Sequence, residues 1–283
     1  MKLVRFGAAG SEKPGLLDSS GKIRDLSGHI KDLTPDHLSP AGLKKLAGLK
    51  INDLPVPSGN PRLGVPYAGI GKIVAIGLNY RDHAAEVGAK IPDEPVIFMK
   101  ATSSLTGPND PVTIPKGSEK CDWEVELAVV IGTEARYVDK AKALDYVAGY
   151  TICNDVSERH FQTERGGQWT KGKCCDSFAP VGPFLATKDE IADVQKLKMF
   201  CDVNGERMQD SSTANMIFPV DFIIHYLTQF MSLQPGDLII TGTPAGVGLG
   251  KKPHPRFLKA GETMKLGVEG LGEQTQKLVA HGK

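Results

Sequence analysis

Long apolar runs are missing from this 283-residue chain. No stretch reaches the roughly 18 apolar residues that a membrane-spanning helix needs. The opening Met1-Lys2-Leu3-Val4-Arg5-Phe6 also lacks the basic, apolar and small-residue succession of an export signal. A cytoplasmic protein is therefore expected, with no membrane partner. An excess of one charge is missing too: 34 basic residues face 33 acidic ones, for a net charge of +1. That balance gives no attraction toward nucleic acid or an anionic membrane surface. Cysteine is sparse. Cys121, Cys153, Cys174, Cys175 and Cys201 are odd in number and show no C-x-x-C spacing. Neither a disulfide framework nor a zinc site fits them, and reduced thiols are expected. Internal repeats and low-complexity tracts are absent as well, which leaves a soluble chain long enough to bury a full core.

What is present centres on Asp122-Trp123-Glu124-Val125-Glu126-Leu127-Ala128-Val129-Val130. The pattern is that of a strand, whose side chains alternate between two faces. Trp123, Val125, Leu127 and Val129 share one face; Glu124, Glu126 and Ala128 share the other. Most E-x-E pairs sit on the solvated face of an edge strand. A third acid changes the balance here. The apolar run Val147 to Asn154 ends on Asp155. Three carboxylates held near one another repel and, when buried, are desolvated at a cost of several kcal/mol. A hard divalent cation such as Mg²⁺ or Mn²⁺ relieves both penalties, because carboxylate oxygens suit it.

Residues 1–65 read as a small separate α+β unit, with strands near Met1 and Ile23 and short helices between Thr34 and Leu49. Ser39-Pro40 suits a helix start. The run from Leu54 to Pro66, rich in proline and glycine, is expected as a connector. A second domain then occupies residues 70–283.

Lys72 to Gly77 is a buried-type strand leading into a short helix over Asn79 to Gly88. Asn79 or Asp82 would cap its start, and Gly88 its end. On it His83 and Glu86, three apart, share one face. A carboxylate beside an imidazole orients it and raises its basicity, which suits a general base, although most such pairs are ordinary surface contacts. Helical spacing after Asp155 lets Arg159 and Gln162 project toward whatever Asp155 holds. The glycine-rich loop from Gly166 to Asp176 brings a lysine inward, and its local pattern does not decide between Lys171 and Lys173. The glycine-rich stretch from Thr241 to Gly250 opens no G-x-G-x-x-G helix and lacks the P-loop's Ser or Thr after its lysine. Its backbone amides and threonine hydroxyls are expected to meet a small anion such as a carboxylate.

Five motifs in order carry a resemblance: Gly77-Leu78-Asn79-Tyr80-Arg81-Asp82-His83, Asp122 to Leu127, Asn154-Asp155-Val156-Ser157, Lys173 to Pro180, and Thr241 to Gly248. From about residue 70 to 281 the chain resembles the catalytic domain of the fumarylacetoacetate hydrolase family, near its acylpyruvase and sugar-acid branch. The resemblance implies an α+β fold, a mixed β-sandwich roll with flanking helices, and a homodimer. It implies Mg²⁺ or Mn²⁺ on Glu124, Glu126 and Asp155. It places a catalytic dyad on His83 and Glu86, the catalytic lysine on Lys173, and substrate contacts on Arg159, Gln162 and Thr243.

The expected activity is hydrolysis of the C–C bond of a 2,4-diketo acid, a ketonic substrate. A 2,4-diketo-3-deoxy-L-rhamnonate or fuconate, giving pyruvate and lactate, is favoured on overall resemblance. The distal end of such a substrate is expected near Gln162 to Arg165 and Ser211 to Thr213. Ureidoglycolate lyase and oxaloacetate decarboxylase are the alternatives within the family, and a non-catalytic dicarboxylate binder lies outside it.

Overall fold

The computed structural model describes residues 1–282. Its mixed α+β architecture matches the expected class. A ten-stranded sheet runs in the order Ile23–Asp25, Lys13–Leu17, Lys2–Phe6, Ala179–Thr187, Val147–Asn154, Val125–Ile131, Leu238–Ile240, Ile73–Gly77 and Val96–Lys100, with Leu105–Thr106 beside Ala179–Thr187. A five-stranded sheet holds Glu206–Ser212, Lys198–Val203, Thr263–Val268, Gly272–Ala280 and Val112–Ile114. No helix among the described residues is long and apolar enough to cross a membrane.

Strand Val125–Ile131 is buried along its whole length. Its alternation divides the interior as period two requires. Trp123, Val125, Leu127 and Val129 join one hydrophobic cluster, shared with the five-stranded sheet and the helix Val220–Leu227. Ala128 and Val130 join a second cluster on the opposite face. That second cluster also contains Leu3, Leu16, Leu26, Leu38 and Leu46 from the first 65 residues. Strand Lys2–Phe6 pairs with Ala179–Thr187, Leu3 opposite Leu185. Residues 1–65 thus extend the large sheet and contribute to its second cluster.

The acid-bearing segment is interrupted. Cys121–Asp122 pairs with Ser157–Glu158, and ladder pairing resumes only at Val125. Two backbone donors at the break find side-chain amides instead. Glu124 N–H donates to Asn154 Oδ1 at 3.1 Å and Val125 N–H to Gln209 Oε1 at 3.0 Å. Buried backbone donors need such partners. The break leaves Glu124 and Glu126 at the open end of the strand, facing the same hollow.

Candidate active site

Glu124, Glu126 and Asp155 come together. One carboxylate oxygen from each lies within 4.8 Å of the others, and all three residues are buried. Lys173 Nζ bridges two of them, 2.8 Å from Glu124 Oε2 and 2.6 Å from Asp155 Oδ2. Arg159 Nη2 lies 2.7 Å from Glu124 Oε1. Burial opposes ionisation of Glu124, but Lys173 and Arg159 outweigh it and hold its carboxyl below the usual range. Among the described residues, the Glu126 carboxylate accepts from the Gly242 N–H alone, at 2.7 Å. Burial first, then its neighbours Asp155 and Glu124, push its carboxyl well above the usual range.

Two members of this charge cluster escaped the sequence reading. Asp122 is fully buried; its Oδ2 accepts from Arg159 Nε at 2.8 Å. It belongs to the same period-two series as Glu124 and Glu126, which is the signal that could have found it. Lys100 is also buried, with Nζ 2.6 Å from Asp155 Oδ1. It ends strand Val96–Lys100 and shares a face with Phe98, which lines the hollow. With all four acids (Asp122, Glu124, Glu126, Asp155) ionised, three cations (Lys100, Arg159, Lys173) leave the cluster one positive charge short of balance. The all-oxygen donor set and the deficit both fit a divalent cation. Loading it would leave one positive charge in excess, the complement of a substrate carboxylate. Removing one partner of a buried pair costs about 3–5 kcal/mol. Lys100→Met is accordingly expected to lower unfolding free energy by about that amount, measured as a fall in the urea midpoint.

Lys173 ends a short helix, Thr170–Lys173, that lies against Glu158 and Gln162. Gly172 permits the approach: a Cβ there would sit 2.4 Å from the Glu158 carbonyl oxygen. Gly172→Ala must displace the helix. Overpacking of this kind costs about 1–3 kcal/mol, and a shift of Lys173 is expected to lower turnover by an additional order of magnitude or so. Thermal melts and steady-state rates would separate the two effects. Lys171 points elsewhere, donating to the Arg165 carbonyl at 2.6 Å. Of the two lysines, Lys173 is the one whose ammonium reaches the acids.

His83 lies on helix Arg81–Val87, which begins after Tyr80 and ends on left-handed Gly88. Asn79 does not cap it. Its amide instead accepts from Phe218 N–H and donates to the Phe218 and Thr241 carbonyls. His83 Nδ1 is 3.0 Å from Glu86 Oε2, and Glu86 Oε1 accepts from Gly246 N–H at 2.8 Å. With Nδ1 protonated toward Glu86, Nε2 is left as an acceptor, and His83 lines the same hollow as the three acids.

The Thr241 to Gly250 loop meets carboxylates, but they are the protein's own. Gly242 serves Glu126 and Gly246 serves Glu86. Gly248 and Leu249 N–H groups donate to Asp122 at 2.6 and 3.0 Å. Thr243 lines the hollow, yet its hydroxyl donates to the Val125 carbonyl and accepts from Gln209. Gln162 also lines it and accepts from Arg159 Nη1 at 3.1 Å. Ser211 is drawn toward helix Arg81–Val87, donating to Asp82 at 2.6 Å. Larger hollows of about 320 and 790 Å³ lie at the N-terminal segment, but the charged side chains lining the first, Lys44, Asp145, Lys188 and Asp189, are exposed.

A family model described as fumarylacetoacetate (FAA) hydrolase C-terminal matches residues 72–279. The chain belongs to the fumarylacetoacetate hydrolase family. A protein of Burkholderia orbicola whose name goes no further than hydrolase is 57% identical over 277 residues, 98% of each chain. Among solved structures, the fumarylacetoacetate hydrolase of Exiguobacterium antarcticum superposes with a TM-score of 0.85 at 34% identity, over 99% of this chain and all of the other. The maleylpyruvate hydrolase of Sphingobium sp. SYK-6 gives 0.81 at 28% identity, over 99% of this chain and all of that one. A 2-hydroxyhepta-2,4-diene-1,7-dioate isomerase of Mycobacterium marinum gives 0.76 at 32%, over the full length of both. Within this family the three-acid cluster is a candidate divalent-metal centre of unassigned metal.

Proposed function

We propose that this protein is a metal-dependent hydrolase that cleaves the C3–C4 bond of a 2,4-diketo acid of acylpyruvate type. The observation that carries the reading is one small hollow lined at once by the three acids, by Lys173, and by a histidine whose ring is held by Glu86. Relatives named for hydrolysis of maleylpyruvate and fumarylacetoacetate support the reaction class.

Glu124, Glu126 and Asp155 would hold Mg²⁺ or Mn²⁺, which supplies Lewis acidity toward the oxo-acid head. Arg159, fixed by Asp122 and Glu124, presents its remaining charge and Gln162 to the substrate carboxylate. His83 takes a proton from water through Nε2 while Glu86 accepts the Nδ1 hydrogen and stabilises the imidazolium. The hydroxide attacks C4. Breaking C3–C4 releases the acyl group as a carboxylic acid and leaves a pyruvate enolate. His83 returns its proton to C3, giving pyruvate. Lys173 faces the developing enolate charge as a fixed cation: burial opposes its charge, but Asp155 and Glu124 outweigh that and push its pKa up. Helix Arg81–Val87 acts as a lid that keeps bulk water out. The same reading carries a homodimer, to be checked by sedimentation.

The test is pyruvate release from a panel of acylpyruvates with added Mg²⁺ or Mn²⁺. Carbon dioxide from oxaloacetate alone would assign a decarboxylase, and urea from ureidoglycolate a lyase. Tight binding of the same acids with no turnover would assign a binder.

A further inference from the structure

The hollow has two chemically distinct ends. Its buried lining is ionic or amide-bearing: His83, Glu124, Glu126, Arg159, Gln162 and Lys173 are each no more than 8% exposed. Its outer lining is apolar. Leu78, Phe98 and Trp169 are half-buried, and Val87 and Leu249 are 38% and 40% exposed at the mouth. Phe98 and Trp169 meet edge to face with centroids 5.3 Å apart, and Trp169 lies over Gly77, where a Cβ would sit 2.6 Å from its ring. Leu78 has φ of +52°, a left-handed conformation unfavourable for leucine, at the turn between strand Ile73–Gly77 and the lid helix. One polar side chain lies at the outer end, Thr163, and its hydroxyl donates to the Arg159 carbonyl at 2.9 Å.

We infer that the departing acyl group of the substrate is short and apolar. The inference rests on the diketo-acid reading above and narrows it. A hydroxylated chain, as in a sugar acid, would place its hydroxyls against Leu78, Val87, Phe98, Trp169 and Leu249, where the side chains offer no replacement for lost water. Each unpaired hydroxyl is strongly disfavoured. The serines and threonine at 211–213 expected to receive them lie outside this lining; Ser211 and Thr213 hydroxyls are engaged with Asp82 and the Val194 carbonyl. A second, distal carboxylate fares no better. Among the described residues lining the hollow, Arg159 and Lys173 are the cations, and both are committed at the inner end. The volume, about 160 Å³, sets the length. It is well below the roughly 300–1,000 Å³ typical of pockets for larger ligands.

The wild-type enzyme with Mn²⁺ would be assayed for pyruvate release from three matched series: acetyl- to pentanoylpyruvate, their hydroxylated analogues, and acyl groups ending in a carboxylate. In the alkyl series kcat/KM is expected to rise about three- to fivefold per methylene and then fall once the hollow is full. Hydroxylated and carboxylated analogues of equal length are expected to be at least about tenfold poorer. Equal or better turnover of either polar series, or a flat alkyl series, overturns the inference while leaving diketo-acid hydrolysis standing. No pyruvate from any series overturns both. Leu249→Arg supplies a second measurement: the ratio of carboxylated to alkyl kcat/KM should rise by about tenfold or more, and an unchanged ratio counts against the apolar mouth.

Discussion

His83→Ala is expected to lower pyruvate release about a thousandfold while leaving divalent-metal binding unchanged. His83 is 8% exposed and its Nδ1 sits 3.0 Å from Glu86. Glu86 is itself fixed by Gly246. These contacts fix the ring of a histidine that lines the hollow. Alanine removes the base but none of the carboxylate oxygens, so Mn²⁺ should raise the melting temperature of the variant as much as that of wild type. Single-turnover rates with saturating metal make the comparison. Full activity in the alanine variant would show that water is activated by something else.

Glu124→Gln is expected to damage metal affinity and turnover together, each by about a hundredfold or more. The substitution preserves volume but removes the charge that Lys173 and Arg159 both address, at 2.8 and 2.7 Å. Two buried cations would then compete for the carboxylates that remain, and one oxygen donor of the triad would be neutral. A ligand present at a hundred times its Kd stabilises a protein by about 2.7 kcal/mol, so the lost Mn²⁺ shift in thermal melts is a readout independent of activity. Undiminished turnover after exhaustive chelation of the wild type would sink the metal-dependent reading altogether.

The acids of this site were legible because their pattern is local. Glu124 and Glu126 are two apart on a strand, and Asp155 closes another strand that pairs with it. His83 and Glu86 are three apart on a helix, and the structure makes that pair a hydrogen bond. What escaped depends on distant partners. Asp122 acquires its meaning from Arg159 and from Gly248, and Lys100 from Asp155. Neither pairing is written within a helical turn or a strand period. The Thr241 to Gly250 loop illustrates the same limit. Its chemistry as an acceptor of carboxylates was readable from glycines and amides, but whose carboxylates they are was not. The place of residues 1–65 follows suit, since the pairing of Leu3 with Leu185 has no signature in either segment alone.

That loop has a dynamic consequence. Its Gly242 and Gly248 amides hold Glu126 and Asp122, acids of one buried chain segment, whereas the Gly246 amide holds Glu86 on helix Arg81–Val87. If that helix opens as proposed, each excursion would release the Gly246 proton to solvent and spare those of Gly242 and Gly248. Deuterium uptake along a single seven-residue stretch therefore carries both a clock for opening and the standard against which to read it.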